Sequence, residues 1–443
     1  MAVNEIMLPA QSVRVAGEYD VVVCGGGPAG VGAAIAAGRL GRRVLLIEMQ
    51  SRLGGLMAAV PYFCDSPGGP IFDELIERLL ELDAAHLRVD RERFHPPGRY
   101  AIGPHAAAAI LLEMVRGAGV ELLLGTVAES AWLDDGAAAG VLVVNKAGRS
   151  LVRARVVIDC TADADIAASA GTPFRQGDPD DGRIQHGNFR WSVKGIDSDS
   201  LPSADRLEAL CREAVAGGAI RMPDAVYGFD PACFPFRHGS LVLGGWELLH
   251  VDPTDPVQTT EALVQCQLAG LQILRFLRER VAGCAECRME SPGTFAPRES
   301  RRIEGLYTVT GADVLAGAKF EDGVAPAWFY TDLHDPPPGP AHTWDYILAN
   351  QPPPGDWYEI PYRCLVPVEP PGLLVAGRCI SAERLAHGSL RIMPTCIFLG
   401  QAAGTAAARA VEAGVRPHEL DGAALKAELL ADWRPPVYPS TDA

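Results

Sequence analysis

Residues 20–48 read DVVVCGGGPAGVGAAIAAGRLGRRVLLIE, and this stretch decides the fold of the first part of the chain. A short β-branched apolar run ends at Cys24, as in a buried parallel strand. Gly25, Gly27 and Gly30 follow in the spacing G-x-G-x-x-G, and the small residues after them predict a helix packed closely against a sheet. A second apolar run ends in Glu48, which predicts a strand–helix–strand unit.

Each part of this unit has a role in holding a dinucleotide. Gly25 permits a tight turn after the strand, Gly27 lets the backbone approach a pyrophosphate, and Gly30 lets the helix touch the strand. The helix N-terminus offers N–H groups and a partial positive charge to the phosphates. Glu48 is placed to accept hydrogen bonds from ribose hydroxyls. Because these parts occur together, the sequence predicts a dinucleotide site rather than a chance glycine turn.

Composition narrows the range of partners. The chain has 443 residues with 39 basic and 55 acidic side chains, a formal net charge of −16. This excess of acid argues against a nucleic-acid partner. No apolar run reaches the roughly 18 residues of a membrane span, and the N-terminal residues do not resemble a secretory signal. We therefore expect a cytoplasmic protein with reduced thiols and no membrane partner, and homo-oligomer formation stays open.

Two of the eleven cysteines, Cys284 and Cys287, have the C-x-x-C spacing of metal and redox sites. A zinc or iron–sulfur site needs about four ligands, and no second pair lies nearby in the sequence. We therefore expect two ordinary thiols and no metal.

A second glycine signal specifies the dinucleotide by resemblance. Gly54 and Gly55 follow Glu48 in EMQSRLGGLM, and in flavoproteins of the glutathione-reductase type such a pair lies along the pyrophosphate and ribityl chain of FAD. The sequence resembles that superfamily here. Its disulfide reductases carry a cysteine pair just beyond this point, whereas this chain has only Cys64 close by, so a redox-active disulfide is not expected.

The C-terminal part of the chain carries a matching signal. GLLVAGRCIS, residues 372–381, predicts a strand followed by a turn at Gly377. Pro394 stands where a second Ala- and Gly-rich helix begins, as proline does at a first helical position. Its first N–H groups, near Thr395 and Cys396, are predicted to face the N1 and O2 edge of a flavin, where a helix N-terminus stabilises negative charge.

Four segments together are more specific: RESRRIEGLYTVTGADVLAGAKFEDGVA, YEIPYRCLVP, LLVAGRCIS and AHGSLRIMPTCIFLGQAAGTAAA. They resemble the FAD-dependent oxidoreductase family related to succinate dehydrogenase and fumarate reductase flavoproteins. The resemblance implies an α/β fold: a discontinuous Rossmann-like FAD-binding domain with an inserted mixed α+β substrate cap domain. It also implies FAD, covalent or non-covalent. Arg378 departs from the wider superfamily, where many relatives have Asp.

The expected domain boundaries follow from composition and from this resemblance. Residues 1–175 and 359–430 are assigned to the FAD-binding domain, residues 176–358 to the cap and residues 431–443 to a flexible tail. Within the first part, Asp163 and Asp165 are expected to cap a small-residue helix. The residues expected to bind FAD are Gly25, Gly27, Pro28, Ala29, Gly30, Glu48, Met49, Gly54, Gly55, Leu56, Val127, Thr161, Gly377, Arg378, Pro394, Thr395 and Cys396.

The chemistry expected is oxidation of a small organic substrate by hydride transfer to flavin N5, in a dehydrogenase or oxidase. No second G-x-G-x-x-G follows, so no dedicated nicotinamide domain is predicted. Oxygen or another carrier then reoxidises FAD. Three alternatives stay open: a reductase of an activated C=C bond, an NAD(P)H-fed monooxygenase and a non-enzymatic FAD sensor.

His387 and Arg391 are the candidate catalytic residues, because both precede the helix predicted to face the flavin. His387 is suited to proton transfer near neutral pH, and Arg391 to binding a substrate carboxylate or the reduced flavin. The structural alternative is that His387 bonds a backbone carbonyl and Arg391 pairs with an acid such as Glu383. Weaker candidates are the charge cluster Arg298, Glu299, Arg301 and Arg302, the cap residues Tyr330, His334 and His186, and Cys64 as a covalent flavin attachment point.

Overall fold

The computed structural model describes residues 10, 12–88, 99–221, 226–229, 234–236, 240–248, 251–335 and 344–434. Most of the predicted tail, from residue 435 onward, lies outside this range, as does most of the proline-rich stretch 335–340. The division of the chain into FAD-binding and cap segments stays a prediction.

The strands, in chain order, are β1 Arg14–Cys24, β2 Val44–Glu48, β3 Tyr62–Phe63, β4 Ala85–Arg88, β5 Arg99–Ile102, β6 Glu121–Leu124, β7 Val127–Asp134, β8 Ala137–Asn145, β9 Gly148–Asp159, β10 Phe174–Arg175, β11 Gly187–Lys194, β12 Val226–Phe229, β13 Phe234–Phe236, β14 Ser240–Leu248, β15 Arg288–Ala296, β16 Arg302–Ile303, β17 Gly323–Ala327, β18 Tyr358–Pro361 and β19 Leu373–Val375.

The α-helices are α1 Pro28–Arg39, α2 Gly69–Glu81, α3 Pro104–Gly117, α4 Asp165–Ser169, α5 Ala204–Ala216, α6 Pro256–Arg280, α7 Gly311–Leu315, α8 Trp344–Ala349, α9 Arg384–Leu390, α10 Met393–Ala413 and α11 Gly422–Leu429. No helix in the described ranges is both long enough and apolar enough to cross a bilayer.

The main sheet joins strands from both ends of the chain. Its order is β6-β2-β1-β9-β8-β7, and β19 also pairs with β9. The pairs β6–β2, β2–β1, β1–β9 and β9–β19 are parallel, whereas β7 and β8 form an antiparallel extension. The carboxyl ends of β1, β2 and β9 therefore meet at one edge, which is where ligands bind in parallel α/β sheets. The predicted Rossmann-like α/β fold is confirmed.

Two small-residue helices pack together beside this sheet. A Cβ atom at Gly400 or Gly404 of α10 would overlap the backbone carbonyl oxygen of Ala29 or Ala33 of α1. Only glycine permits this approach. The small residues of both helices are therefore what allows them to pack so closely. The contact places the N-terminal half of α10 directly beside the start of α1.

A second, antiparallel sheet has the order β12-β14-β11-β15, with β13 pairing with β14. We call it the cap sheet. Its core is separate from that of the main sheet: buried Phe189 and Trp191 of β11 pack with residues of α5 and α6, among them Leu207, Cys266 and Ile273. The chain thus has a parallel α/β part and a mixed α+β part.

The capping prediction for α4 is wrong. The N-cap residue is Ala164, whose side chain makes no capping bond. Asp159 Oδ2 instead accepts from the Ala167 backbone N–H at 2.8 Å. Asp163 and Asp165 are held by arginines, since Arg378 Nη2 lies 2.6 Å from Asp163 Oδ1 and Arg301 Nη1 lies 3.0 Å from Asp165 Oδ1. The competing attraction of the arginines was not readable from local sequence.

Candidate functional site

The three motif glycines at the turn between β1 and α1 differ in their surroundings. Gly25 has φ +99°, and a Cβ atom there would overlap the Cys160 carbonyl oxygen. A Cβ atom at Gly30 would overlap the carbonyl oxygen of Gly25. A Cβ atom at Gly27 would meet no protein atom within 4 Å. Packing therefore explains Gly25 and Gly30, whereas the space over Gly27 is left for a ligand.

The start of α1 opens onto the same space. Gly27 is the N-cap residue, no side chain caps the helix, and Pro28 occupies the first helical turn. The unpaired N–H groups and the positive end of the helix dipole favour an anion at this point. An uncapped helix start beside open space fits the diphosphate of a dinucleotide.

Glu48 is fixed at the end of β2. Its Oε2 accepts from the Gly26 backbone N–H at 2.6 Å, and its Oε1 accepts from the Gln50 N–H at 2.7 Å. Each carboxylate oxygen has a further lone pair, which suits ribose hydroxyls. Met49 and Val127 are 67% and 47% exposed beside it, and form an open apolar edge at this end of the sheet.

The second glycine pair lies against the first turn. The Gly54 N–H donates to the Gly26 carbonyl at 2.8 Å, and a Cβ atom on Gly55 would lie 3.1 Å from Gly27 Cα. Leu56 continues into a short 3₁₀ helix, Gly55–Ala58. The spacing of EMQSRLGGLM thus brings Gly54 and Gly55 to the side of the open space.

The late turn after β19 reaches the same point from the other end of the chain. A Cβ atom on Gly377 would lie 3.0 Å from Ala29 Cβ. The Thr161 backbone N–H and hydroxyl both bond Asp159 Oδ1, at 3.0 and 2.7 Å, which fixes the turn after β9. Arg378 does not turn toward α1: its guanidinium bonds Asp163 and Ser300, and it is 9% exposed.

The start of α10 provides a second uncapped helix end. Its N-cap residue is Ile392, no side chain caps it, and Pro394 lies in the first turn. Thr395 is fully buried, with Oγ1 3.0 Å from Ser66 Oγ. Burial raises the pKa of Cys396 to about 12, so this residue is a neutral thiol. The positive end of α10 therefore carries no compensating side-chain charge from its own first turn.

Cys64 is partly buried and borders a small apolar cluster of Phe329, Tyr330 and Ile392. This cluster joins the segment after β17 to the start of α10. The polar groups described next adjoin this apolar cluster in the chain.

His387 of α9 is fully buried, and neither ring nitrogen makes a hydrogen bond of regular geometry within the described residues. Burial is the main cause that holds its pKa well below the usual value. The positive charges of Arg302, Arg391 and Arg378 lower the pKa further, whereas the Arg378 backbone acts in the opposite direction. The ring is therefore neutral at neutral pH.

Arg391 closes α9 and points at the segment after β17. Its Nη2 donates to the backbone carbonyl of Asp332 at 2.8 Å and to Asp332 Oδ2 at 3.0 Å. Arg391 thus pairs with an acid, as the structural alternative has it, but the acid is Asp332 and not Glu383, which accepts from the Gly311 N–H. Arg391 Nε is buried and has no hydrogen-bond partner in the described part of the chain. One donor of the guanidinium is thus unsatisfied among the described residues.

Asp332 is a candidate site residue that the sequence analysis missed. Its Oδ1 accepts from the Tyr330 hydroxyl at 3.0 Å and lies 2.9 Å from His334 Nε2. Together with the Arg391 contact, these bonds define what we call the Asp332 cluster: Tyr330, Asp332, His334 and Arg391. The only available signal was the alternation of polar and apolar residues in FYTDLHD, which surface loops also show.

The residues just before β11, a central strand of the cap sheet, contact this cluster. The His334 N–H donates to Gln185 Oε1 at 3.1 Å, and the His186 N–H donates to the His334 carbonyl at 3.0 Å. The His186 and His334 rings meet edge to face, 5.2 Å between centroids. The three weaker cap candidates, Tyr330, His334 and His186, are therefore brought together beside Arg391.

The predicted charge cluster is a buried ion-pair clamp, which we define as Glu299, Arg302 and Arg384. Glu299 is fully buried; it accepts from Arg302 Nη1 and lies 3.0 Å from Arg384 Nε. Arg298 donates to the His186 carbonyl at 2.8 Å. Because these charged groups all have partners within the protein, their contacts are those expected of a structural role.

Cys284 and Cys287 are buried free thiols at the end of α6. Burial raises the pKa of Cys284 to about 12. No group of three or more metal-ligating side chains occurs within the part of the chain that the structure describes.

A family sequence model described as FAD dependent oxidoreductase matches residues 20–429. Among curated proteins, the tRNA uridine 5-carboxymethylaminomethyl modification enzyme of Thermus thermophilus is 35% identical over 153 residues, 32% of this chain and 24% of that enzyme. The match thus spans about a quarter of that relative's length.

Solved structures show more distant similarity. The flavin-dependent brominase Bmp2 aligns with a TM-score of 0.48 at 14% identity, over 94% of this chain and 83% of that one. A geranylgeranyl bacteriochlorophyll reductase-like protein from Thermoplasma acidophilum aligns with a TM-score of 0.46 at 14% identity, over 94% and 83%.

Proposed function

The chain belongs to the FAD-dependent oxidoreductase family, and from this premise we propose that it is a dehydrogenase or oxidase of a small organic substrate. The substrate is proposed to bind where the N-terminal end of β11, in the cap sheet, meets the start of α10. The observation that carries this proposal is the Asp332 cluster, which gathers a cation, a carboxylate, an imidazole and a phenol beside an uncapped helix end.

FAD is the cofactor. The open space at Gly27, bordered by Gly54, Gly55 and Gly377, fits it, and we call this space the cradle. We propose that Gly27 and the start of α1 hold the diphosphate, that Glu48 holds the ribose, and that Met49 and Val127 border the adenine. Gly54, Gly55 and Gly377 are proposed to line the ribityl chain. Pro394, Thr395 and Cys396 are proposed to place the positive end of α10 at the ring. Bound FAD supplies a two-electron acceptor for a hydride equivalent.

Arg391 is proposed to bind an anionic group of the substrate. Its Nη2 is fixed by Asp332, whereas Nε is a buried donor without a described partner. A carboxylate on Nε would satisfy this donor and gain a charge-assisted hydrogen bond. The Arg391 side chain is 11% exposed but its Nε atom is buried, so a ligand contacts Nε only after a local shift of the cluster.

Two imidazoles are proposed as candidates for the base that accepts the substrate proton. His334 has 18% of its side chain exposed and is oriented by a carboxylate, as a general base requires. His387 is neutral and thus able to accept a proton, but it has no exposed atom, so direct contact needs a shift of α9. Geometry favours His334, and His387 stays the alternative.

The experiment that tests this proposal is anaerobic mixing of the FAD-loaded protein with a panel of hydroxy acids, amino acids, alcohols and amines. Bleaching of the flavin by one of them alone supports the proposed oxidation. Bleaching only by NAD(P)H contradicts it in favour of a reductase or a monooxygenase. If nothing reduces the flavin, the protein is a sensor or binding partner and the proposal fails.

The two bases are separated by single-turnover reduction of two variants with a substrate found in the panel. Loss of a general base lowers the rate by about 10²–10⁴-fold. We expect this loss in His334→Gln and a change of less than about tenfold in His387→Leu. The opposite pattern would make His387 the base.

A further inference from the structure

Asp332 occupies the centre of contacts from separate parts of the chain. Its own segment follows β17 and supplies Tyr330 and His334, while Arg391 comes from the end of α9. A Cβ atom on Gly388 would lie 2.9 Å from the Asp332 backbone nitrogen, so α9 lies directly against this segment. The carboxylate therefore joins two elements that are distant in sequence.

Both oxygens of the carboxylate have assigned partners, which fixes its rotation. Oδ2 faces Arg391 Nη2, and Oδ1 faces His334 Nε2 and the Tyr330 hydroxyl. The Asp332 side chain is 13% exposed, so these contacts are only partly screened by water. Under these conditions a charged hydrogen bond orients its donor more firmly than one on the surface.

The contact with His334 also selects a tautomer. A neutral imidazole that donates from Nε2 to a carboxylate has its basic lone pair on Nδ1. Were the proton on Nδ1, two acceptors would face each other 2.9 Å apart, which is unfavourable. The same carboxylate stabilises the ring when it becomes an imidazolium.

We propose that Asp332 is a positioning residue: it holds the Arg391 guanidinium at one oxygen and the Nε2–H tautomer of His334 at the other. Through this pair of contacts it prepares substrate-anion binding and proton acceptance together. This inference rests on the proposed function for its kinetic consequence, but its structural content, the tautomer and charge state of His334, is measurable without a substrate.

Other charged and titratable groups also face His334. The His186 ring meets the His334 ring edge to face, and Arg298 donates to the His186 carbonyl. Asp335 follows His334 in the chain and pairs with Arg384. Burial is the main cause that raises the pKa of Tyr346, and the negative charges of Asp332 and Asp335 raise it further. A change confined to Asp332 leaves these groups in place, so a difference between wild type and variant reports on Asp332.

The test uses Asp332→Asn, with Asp178→Asn as the matched control. Asp178 is a second partly buried carboxylate in an arginine contact, 3.3 Å from Arg384 Nη1, and it makes no described contact with His334 or Arg391. Nitrogen-resolved NMR of the FAD-loaded protein, assigned with His334→Gln, follows the His334 ring through a pH titration. Single-turnover flavin reduction by a substrate found in the panel is measured across the same pH range.

In Asp332→Asn we expect the pKa of His334 to fall by about one unit or more, because an opposite charge within hydrogen-bonding distance is lost. The acid limb of the reduction profile should move with it, and the rate should fall by about a hundredfold or more. The Asp178→Asn control should keep both within about threefold and a few tenths of a pH unit of wild type.

A His334 pKa unchanged between wild type and Asp332→Asn would overturn the inference. If Asp332→Asn does not fold, the wild-type tautomer decides, since a neutral His334 with its proton on Nδ1 also overturns it. If no panel substrate reduces the wild-type flavin, the proposed function has failed, whereas the NMR titration still supports or refutes the role of Asp332.

Discussion

Gly27 is the residue at which ligand and protein requirements separate most clearly. Gly25 and Gly30 are needed by backbone packing, but a methyl group on Gly27 meets nothing of the protein itself within 4 Å. Its φ of −74° and ψ of −169° suit any residue. A substitution there is therefore expected to leave the fold intact and, on the proposed placement of FAD, to disturb only the cofactor.

We expect Gly27→Ala to keep wild-type stability and to weaken FAD binding by at least about tenfold, or ~1.4 kcal/mol, because the methyl group enters the diphosphate space. The measurement is titration of FAD into protein stripped of cofactor. Gly117→Ala is the control, since its added methyl also meets no atom within 4 Å but lies at the far end of α3. Equal FAD affinity in the two variants would place the diphosphate elsewhere.

His387 provides a test of burial that does not depend on its role in catalysis. Its folded-state pKa is held well below the usual value by burial and by Arg302, Arg391 and Arg378. The unfolded chain binds a proton at this residue below a pH of about 6.5, whereas the folded chain does not. Stability from this residue is therefore complete above that pH and decreases as the pH falls.

Between pH 7 and pH 5.5, we expect this one residue to reduce the free energy of unfolding by about 1.4 kcal/mol in wild type. His387→Leu lacks the contribution, so its stability should fall less over the same range by that amount. Urea unfolding at both pH values measures the difference between the two proteins. Parallel pH dependence of the two would show that His387 is protonated in the folded state.

At the scale of elements, the contact between α1 and α10 positions the site. Gly400 and Gly404 allow backbone contact with Ala29 and Ala33, and this register makes the start of α10 extend roughly 10 Å past the start of α1 in the same direction. Both helix ends are uncapped by side chains, so two positive helix termini are held near each other. An anionic cofactor that contacts both termini offsets their repulsion.

We expect Gly404→Ala to destabilise the folded protein by about 1–3 kcal/mol, because its methyl group overlaps the Ala33 carbonyl and the helices must separate. Urea unfolding compares it with Gly117→Ala, which adds the same methyl in open space and should be near neutral. A Gly404→Ala variant as stable as the control would mean that the helices do not pack in this way.

The buried clamp provides a second element-scale prediction. Glu299 lies between Arg302 and Arg384, where the segment before β16 meets α9, and it is the carboxylate that both contact; Arg384 also contacts Asp335 and Asp178. Glu299→Gln leaves two largely buried guanidinium groups with less compensation, and we expect a loss of about 3–5 kcal/mol in the free energy of unfolding. Glu428→Gln, in the exposed pair with Arg409, should cost less than about 1 kcal/mol. Similar losses in the two variants would contradict the burial of the clamp.

At the scale of the whole molecule, local patterns predicted the FAD-binding sheet well. Periodicity and glycine spacing predicted β1, α1, β2 and α10 because those signals depend on neighbours in sequence. The family resemblance added β19, which pairs with β9. The position of the pairing could be stated only after the strands were placed.

The candidate substrate site was less predictable from sequence. Tyr330, His334, His186 and Arg391 were each named, but Asp332, which joins three of them, was not. Asp332 and Arg391 are 59 residues apart in sequence. Arg378 likewise pairs with Asp163 across 215 positions. Such pairs join segments that are distant in sequence and meet only in the folded chain, and no local pattern specifies them.

The central claim is that the two ends of the chain form one cradle for FAD, and the absorbance spectrum of the purified protein tests it most directly. We predict a yellow protein with about one FAD per chain, which acid releases into the supernatant and which the Gly27→Ala variant binds more weakly. A folded, colourless protein that takes up no added FAD would contradict the account.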